Sequence, residues 1–420
     1  MAEFMVTYRR FQKNEKLKVL KVPGMKLIKR EKYLERLANL RWTPDIKIIT
    51  GVRRAGKSKL LEAYRDQLSS EDGVNIVFID LSCLENEKLL EYHALNEYVL
   101  AKTRDGVENV LMIDEVQECK GFERVINSLH NAGKHDIYLT GSNAFLLSSD
   151  LATLFTGRQI EVPVYPFSFS EFLAYYSDAT DKESMLDRYL VEGGLAGSYV
   201  YRTESDRIAY IREVFETILE RDLVQKFKLS EPTVLRHLAE YLMDNISNLT
   251  SPHRASVQLA QNKVATNHVT ASNYIDHLLH AFLFHAVKRY DIRGKKYLAT
   301  SEKYYLSDLG FRYAVLGRRN MDYGRACENI VYLELCRRGY DVYVGKIQDL
   351  EIDFVAMRGS EKTYIQVSDN IVAPETFERE MAPFAKIRDG YPRMLIARTR
   401  NPETDFEGVR VVNLADWLRG

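Results

Sequence analysis

One stretch constrains this chain more than any other: DIKIITGVRRAGKSKLLEAYRDQL, residues 45–68. The apolar run from Asp45 to Thr50 reads as a strand, and an amphipathic helix follows. Between them stands Gly51-x-x-x-x-Gly56-Lys57-Ser58. Glycines here let the backbone curl, so that N–H groups along Gly51, Val52, Arg53, Arg54, Ala55, Gly56, Lys57, Ser58 and Lys59 turn inward toward phosphate oxygens. The starting helix adds the positive end of its dipole. Lys57 is placed to reach the β- and γ-phosphates, and the Ser58 hydroxyl to ligate Mg²⁺. ATP and Mg²⁺ are therefore the expected cofactors.

A second motif fits the first. In NVLMIDEVQE, apolar residues from Val110 to Ile113 bury a strand on both faces, and Asp114 and Glu115 end it. Asp114 would hold the Mg²⁺ shell, and Glu115 would polarise the attacking water. VNIVFID, DIYLT and IEVPV bring the strands to five, alternating with helices, which predicts a doubly wound parallel α/β sheet of the P-loop NTPase kind. Ligands bind such sheets at the carboxyl ends of the strands, where these motifs lie. Thr140 ends DIYLT, and Ser142 and Asn143 follow it. An asparagine there touches a γ-phosphate or the attacking water, or is a turn residue after a strand; both readings of Asn143 stay open.

GVRRAGKSKLL, LMIDEVQE, YLTGSNAFLLSSDLATLFTGR and VYPFSFSEFL together resemble a family of prokaryotic AAA-type ATPases that joins a P-loop domain to a C-terminal domain of unassigned function. The resemblance implies that Arg158 acts in trans, offered to a neighbouring subunit's γ-phosphate within a homo-oligomer. The alternative is an arginine that satisfies a carboxylate or a helix end. The helices that follow show no clear second sensor arginine.

Residues 168–247 read as helices interrupted by EGGLAGSYV, with IREVFETILERDLVQKF strongly amphipathic and suited to lid or link the sheet. After Pro252 the pattern gives a helix, a turn, a second helix from about Thr270 and a hairpin turning at Asp291 to Gly294, the outline of a winged helix. Lys288, Arg289, Arg293, Lys295 and Lys296 make the wing basic, as phosphate contacts require. YIDHLLHAFLFHA, by contrast, is apolar enough to pack or to dock protein. DNA and protein partners both stay open.

The tail resembles the restriction-endonuclease-like fold. Glu328 lies on a helix, Asp353 on a strand and Gln366 on the next strand, in EIDFVAMRGSEKTYIQVS. Active members of that fold gather divalent metal with three acids, and a lysine steadies the attacking water. Here Gln366 takes an acid's place and Ser368 stands where the lysine belongs. Lys346, at the end of a neighbouring strand, is one cation that could substitute from another direction. An inactive fold used for binding or assembly and an ATP-controlled nuclease are the two readings, and the substitutions favour the first.

At 420 residues the chain should hold two to four domains, each with its own core. The expected segments are a basic leader at 1–24, the P-loop core at 25–167, a helical lid or linker at 168–230, a winged helix at 231–306 and a smaller restriction-endonuclease-like α/β domain at 307–420. Zero net charge excludes a global pull toward nucleic acid, leaving only local patches. Arg9, Arg10, Lys13, Lys16, Lys18, Lys21, Lys26, Lys29, Arg30 and Lys32 form one such patch, read as a solvated leader. No apolar run approaches the roughly 20 residues that span a membrane, and no signal-peptide core is present. Four cysteines without a C-x-x-C pair, and nine histidines without H-E-x-x-H, suggest neither a disulfide framework nor zinc. A reduced cytoplasmic setting is expected, with no membrane partner.

Overall fold

The computed structural model describes residues 26–141, 155, 157–177, 181–317, 322–401 and 403–420. The expected leader, Ser142 and Asn143 lie outside the described residues.

Five strands form the first sheet: β1 (Ile46–Thr50), β2 (Val74–Asp80), β3 (Glu108–Asp114), β4 (His135–Thr140) and β5 (Gln159–Pro163). Their order is β2-β3-β4-β1-β5, and every pairing is parallel. Every residue of β1 and β4 is buried, as central strands covered on both faces must be. The helix Lys57–Leu68 packs Leu60, Leu61, Tyr64 and Leu68 inward, one stripe at helical spacing. Because the strands run one way, Thr50, Asp114 and Thr140 finish at the same edge. This is the P-loop NTPase fold that the sequence predicts, and a further α/β region follows it.

The second sheet has nine strands: β6 (Leu249–Thr250), β7 (Phe284–Asp291), β8 (Lys296–Leu306), β9 (Asp341–Ile347), β10 (Leu350–Arg358), β11 (Glu361–Ser368), β12 (Arg393–Ala397), β13 (Thr404–Phe406) and β14 (Val409–Asn413). Helices Pro232–Asp244, Pro252–Gln261 and His268–His280 precede the β7–β8 hairpin, and β6 pairs with β8. Ala271, Tyr274, Ile275 and Leu278 of the third helix are buried, so this apolar face packs inside the protein.

The hairpin does not stand alone. β7 runs parallel to β9, with Tyr290 opposite Gly345, so the sheet order reads β13-β14-β12-β11-β10-β9-β7-β8-β6. The boundary expected at 306/307 therefore falls inside one sheet. Pairing gives the backbone groups along the β7 edge partners that a free hairpin would lack. Of three hydrophobic clusters, one runs from Leu34 to Leu418 and joins the two sheets, one lies within residues 46–155 of the first sheet and one within residues 290–411 of the second.

Helices Phe169–Tyr175, Lys182–Glu192 and Glu204–Thr217 connect the two sheets, and a π-helical segment, Ile218–Gln225, continues the last of them. The EGGLAG break is a tether. Gly194 N donates to Asp308 Oδ2 at 2.5 Å, and a Cβ on Gly193 would lie 1.8 Å from Asp308 Oδ1. Among the described residues, no helix is long and apolar enough to cross a membrane.

Candidate nucleotide site

The loop after β1 turns at Gly51 (φ 139°) and Gly56 (φ 97°), backbone conformations that side chains resist. Gly51 has a second reason to be glycine: a Cβ there would come within 2.0 Å of the Val164 carbonyl oxygen. Gly56 caps the helix Lys57–Leu68 and brings no side-chain acceptor, so the first-turn amides are left for an anion. The loop thus fits a phosphate by its backbone.

Lys57 is buried, and its Nζ donates to the carbonyl oxygens of Gly51 (2.8 Å) and Val52 (3.3 Å). Burial lowers its pKa to about 8, with Glu115 and Asp114 pulling the other way and Arg53 adding to the fall. Ser58 hydrogen-bonds to Asp114 at the end of β3, and Thr140 at the end of β4 donates to the same carboxylate. The two residues expected to ligate Mg²⁺ therefore meet. Burial raises the Asp114 pKa, and the Thr140 and Ser58 hydrogen bonds oppose that rise. Glu115 follows with a left-handed backbone (φ 54°), uncommon for a residue with a side chain and concentrated at functional sites. Its N–H donates to Thr140 Oγ1 at 3.2 Å. β4 lies between β1 and β3, which is how Thr140 comes to brace both acids.

Residues 43–173 match the family described as AAA domain, and residues 183–322 match a domain of unknown function (DUF8612). An uncharacterized protein of Haemophilus influenzae is 36% identical over 400 residues, 93% of this chain and 98% of that one. The chain belongs to this family of AAA-domain proteins. The uncharacterized protein MJ1544 of Methanocaldococcus jannaschii is 26% identical over 382 residues, 86% of this chain and 83% of its own. Among solved structures, the Walker-type ATPase PABY2304 of Pyrococcus abyssi aligns with 69% of this chain and 95% of its own, at a TM-score of 0.46 and 14% identity.

The AAA domain places the remaining predicted residues unequally. Arg53 forks onto Asp222, while Lys59 faces outward to Glu62 at 2.6 Å. Arg54 holds a left-handed turn (φ 67°). Arg158 stands at the amino end of β5, where its carbonyl accepts from Ile46 N (2.8 Å) and its Nη1 donates to Asn131 Oδ1 (3.0 Å). That is the edge opposite the loop, so Arg158 does not join the site of its own chain.

Arg30 corrects the leader reading. It is buried, forks onto Glu171 (2.7 and 3.0 Å) and donates to the carbonyl oxygens of Ala55 (3.1 Å) and Tyr165 (2.9 Å). It braces the phosphate loop from outside. Glu171 is the capping-box acid of FSFSEF, the one sequence signal that marked its partner.

In the C-terminal half of this AAA-domain protein, Glu328 on the helix Tyr323–Arg337 and Asp353 on β10 do converge, but on a lysine. Lys303 Nζ of β8 lies 2.9 Å from Glu328, 2.7 Å from Glu351 and 3.7 Å from Asp353. Tyr305 donates to the same Glu328 oxygen at 2.6 Å. The cation in this cluster is thus Lys303, from β8, rather than Lys346. Burial raises the Glu328 and Asp353 pKa values, and Lys303 counters it. Gln366 accepts from Asp353 N (3.2 Å) and donates to Glu380 (2.9 Å), while Ser368 donates to the Asn370 carbonyl (2.9 Å). Among the described residues, no three or more His, Cys, Asp or Glu side chains are grouped to hold a metal ion.

Proposed function

We propose that this protein binds and hydrolyses ATP with Mg²⁺, and couples turnover to a nucleic-acid or protein partner through its C-terminal half. One observation carries the reading: Ser58 and Asp114 meet beside Lys57 and Glu115 at the carboxyl edge of β1 and β3. The loop amides would hold the inner phosphates and Lys57 the β- and γ-phosphates. Ser58 and Asp114 would hold Mg²⁺, which when bound neutralises charge developing on the transferred phosphoryl. Glu115 would orient the attacking water and accept its proton, with Thr140 fixing both acids. Arg158, on the far edge, would serve only a neighbouring subunit, which makes its role a proposal about a homo-oligomer.

Phosphate release measured at steady state tests this. Lys57→Ala should abolish it, and Glu115→Gln should keep nucleotide bound while turnover falls by about a hundredfold or more. Nucleotide retained stoichiometrically by the wild type without turnover would favour a slow switch instead. No nucleotide binding at all would sink the proposal.

For the C-terminal half the reading is binding rather than cutting. Three helices, with β6 between the first two and the β7–β8 hairpin after the third, support a winged helix, and the helix Tyr323–Arg337 on β9–β12 supports a restriction-endonuclease-like fold. Gln366 brings no charge to the acids, which argues against a metal-dependent centre, while Lys303 returns from β8 the cation that β11 lacks. Duplex and single-stranded DNA and RNA should therefore stay intact with Mg²⁺ or Mn²⁺. Nicking that disappears in Asp353→Ala would establish the nuclease reading in its place.

A further inference from the structure

Arg53 stands inside the phosphate loop, yet its guanidinium is held by a carboxylate from outside the sheet. Nε donates to Asp222 Oδ2 at 2.7 Å and Nη2 to Asp222 Oδ1 at 2.6 Å. The two side chains are 26% and 13% exposed, so the pair is largely shielded. Asp222 belongs to the π-helical segment Ile218–Gln225. Eight residues of π-helix is a rare geometry, and such turns concentrate at functional sites. Ile218, Leu219 and Leu223 anchor the segment in the core, and Arg221 lies 3.6 Å from Glu118, just past the Asp114–Glu115 pair. The segment is tied to both walls of the nucleotide cleft.

The charges that act on Arg53 are those of Asp222, Glu115 and Glu118, and those that act on Lys57 are Glu115, Arg53, Asp114 and Asp222. The two cations and these acids share one space. Glu115 marks the side where the terminal phosphate and attacking water would stand, and its charge acts on Arg53 as well as on Lys57. A planar fork that fits a carboxylate also fits a phosphate. Asp222 and a terminal phosphate are rivals for one guanidinium.

We propose that Asp222 is a positioning residue for Arg53, competing with the terminal phosphate for its guanidinium, so that the Ile218–Gln225 segment responds differently to tri- and diphosphate. The inference rests on nucleotide binding at the loop. The segment has a route onward: Arg212, on the helix it continues, donates to the Ala314 carbonyl at 3.2 and 2.8 Å, and so reaches the helix Leu309–Leu316.

Displacement of a fluorescent nucleotide by adenylyl imidodiphosphate or ADP, from the full chain, reads the preference between the two. Asp222→Asn keeps the shape and removes the charge, which frees Arg53 for phosphate. Preference for the triphosphate should then rise by about fivefold or more, the lower range of coupling between sites. Asp222→Glu should restore the wild-type ratio. A purely structural role would weaken both nucleotides alike and leave the ratio unmoved. Amide exchange over 218–226 in the wild type gives an independent reading, with faster exchange expected under the triphosphate than under ADP. An unchanged ratio, or identical exchange with both nucleotides, overturns the inference while nucleotide binding stands. A wild type that binds neither nucleotide overturns both.

Discussion

Lys57 shows how one buried charge makes a site sensitive to pH. Burial holds its ammonium near pKa about 8, although Glu115 and Asp114 resist the fall. As pH rises through that value, the lysine of the nucleotide-free protein loses its proton, whereas a phosphate beside it would keep the proton on. Binding therefore takes up a proton above pH 8, and affinity falls as pH rises. The nucleotide Kd should be flat near pH 7 and climb toward about tenfold per pH unit above pH 8. Calorimetry in buffers of different ionisation heat should show about half a proton taken up at pH 8. A flat Kd from pH 7 to 9 would mean that Lys57 is not the titrating group. Lys57, Ser58, Asp114 and Glu115 were legible because each belongs to a motif written in consecutive residues. Arg30, Asp222 and Lys303 were not, because each takes its meaning from a partner far along the chain. Arg30 and Glu171 are 141 residues apart, and Arg53 and Asp222 are 169 apart.

At the scale of elements, the parallel sheet was readable because central strands are continuous apolar runs whose ends carry the chemistry. The π-helix was not. IREVFETILERDLVQKF has the periodicity of one amphipathic helix, and nothing in an apolar stripe reports that hydrogen bonding widens after Thr217. The hairpin was readable as a hairpin, but its second use was hidden. β8 carries Lys303 and Tyr305 toward Glu328, so the strand that begins at Lys296 of the basic wing also supplies the inner cation of the tail. A lysine was missing from β11 and present on β8. Buried this way, the cluster holds together only as a whole: removing the ammonium would leave carboxylates uncompensated, a loss of about 3–5 kcal/mol for a broken buried pair. Ion pairs of this kind also fix register, because a shift of one residue would turn Lys303 to the opposite face of the sheet.

At the scale of the molecule, these contacts argue against independent units behind the phosphate site. The largest hydrophobic cluster begins at Leu34 and ends at Leu418, and β7–β9 pairing crosses the boundary expected at 306/307. Asp308 takes Gly194 N from the connecting helices, and Arg337 donates to the Pro166 carbonyl at 3.1 Å, so the tail also holds the segment that follows β5. A fragment of residues 307–420 would expose the β9 edge, lose Lys303 from beside Glu328 and uncover apolar surface that the rest of the chain protects. Expressed alone it should aggregate or lack a sharp unfolding transition. The full chain should instead unfold in one calorimetric transition whose measured and van't Hoff enthalpies agree. Two well-separated transitions, or a soluble 307–420 fragment with its own cooperative melt, would show that the shared sheet is dispensable. Nucleotide offers the sharper version of this test. If the molecule melts as one unit, a ligand bound at the loop stabilises the tail by the same free energy as the AAA domain. Saturating nucleotide should then raise the melting of Trp417, in the final helix Leu414–Arg419, together with that of the sheet. A tail signal unmoved by nucleotide would break the coupling that this architecture implies.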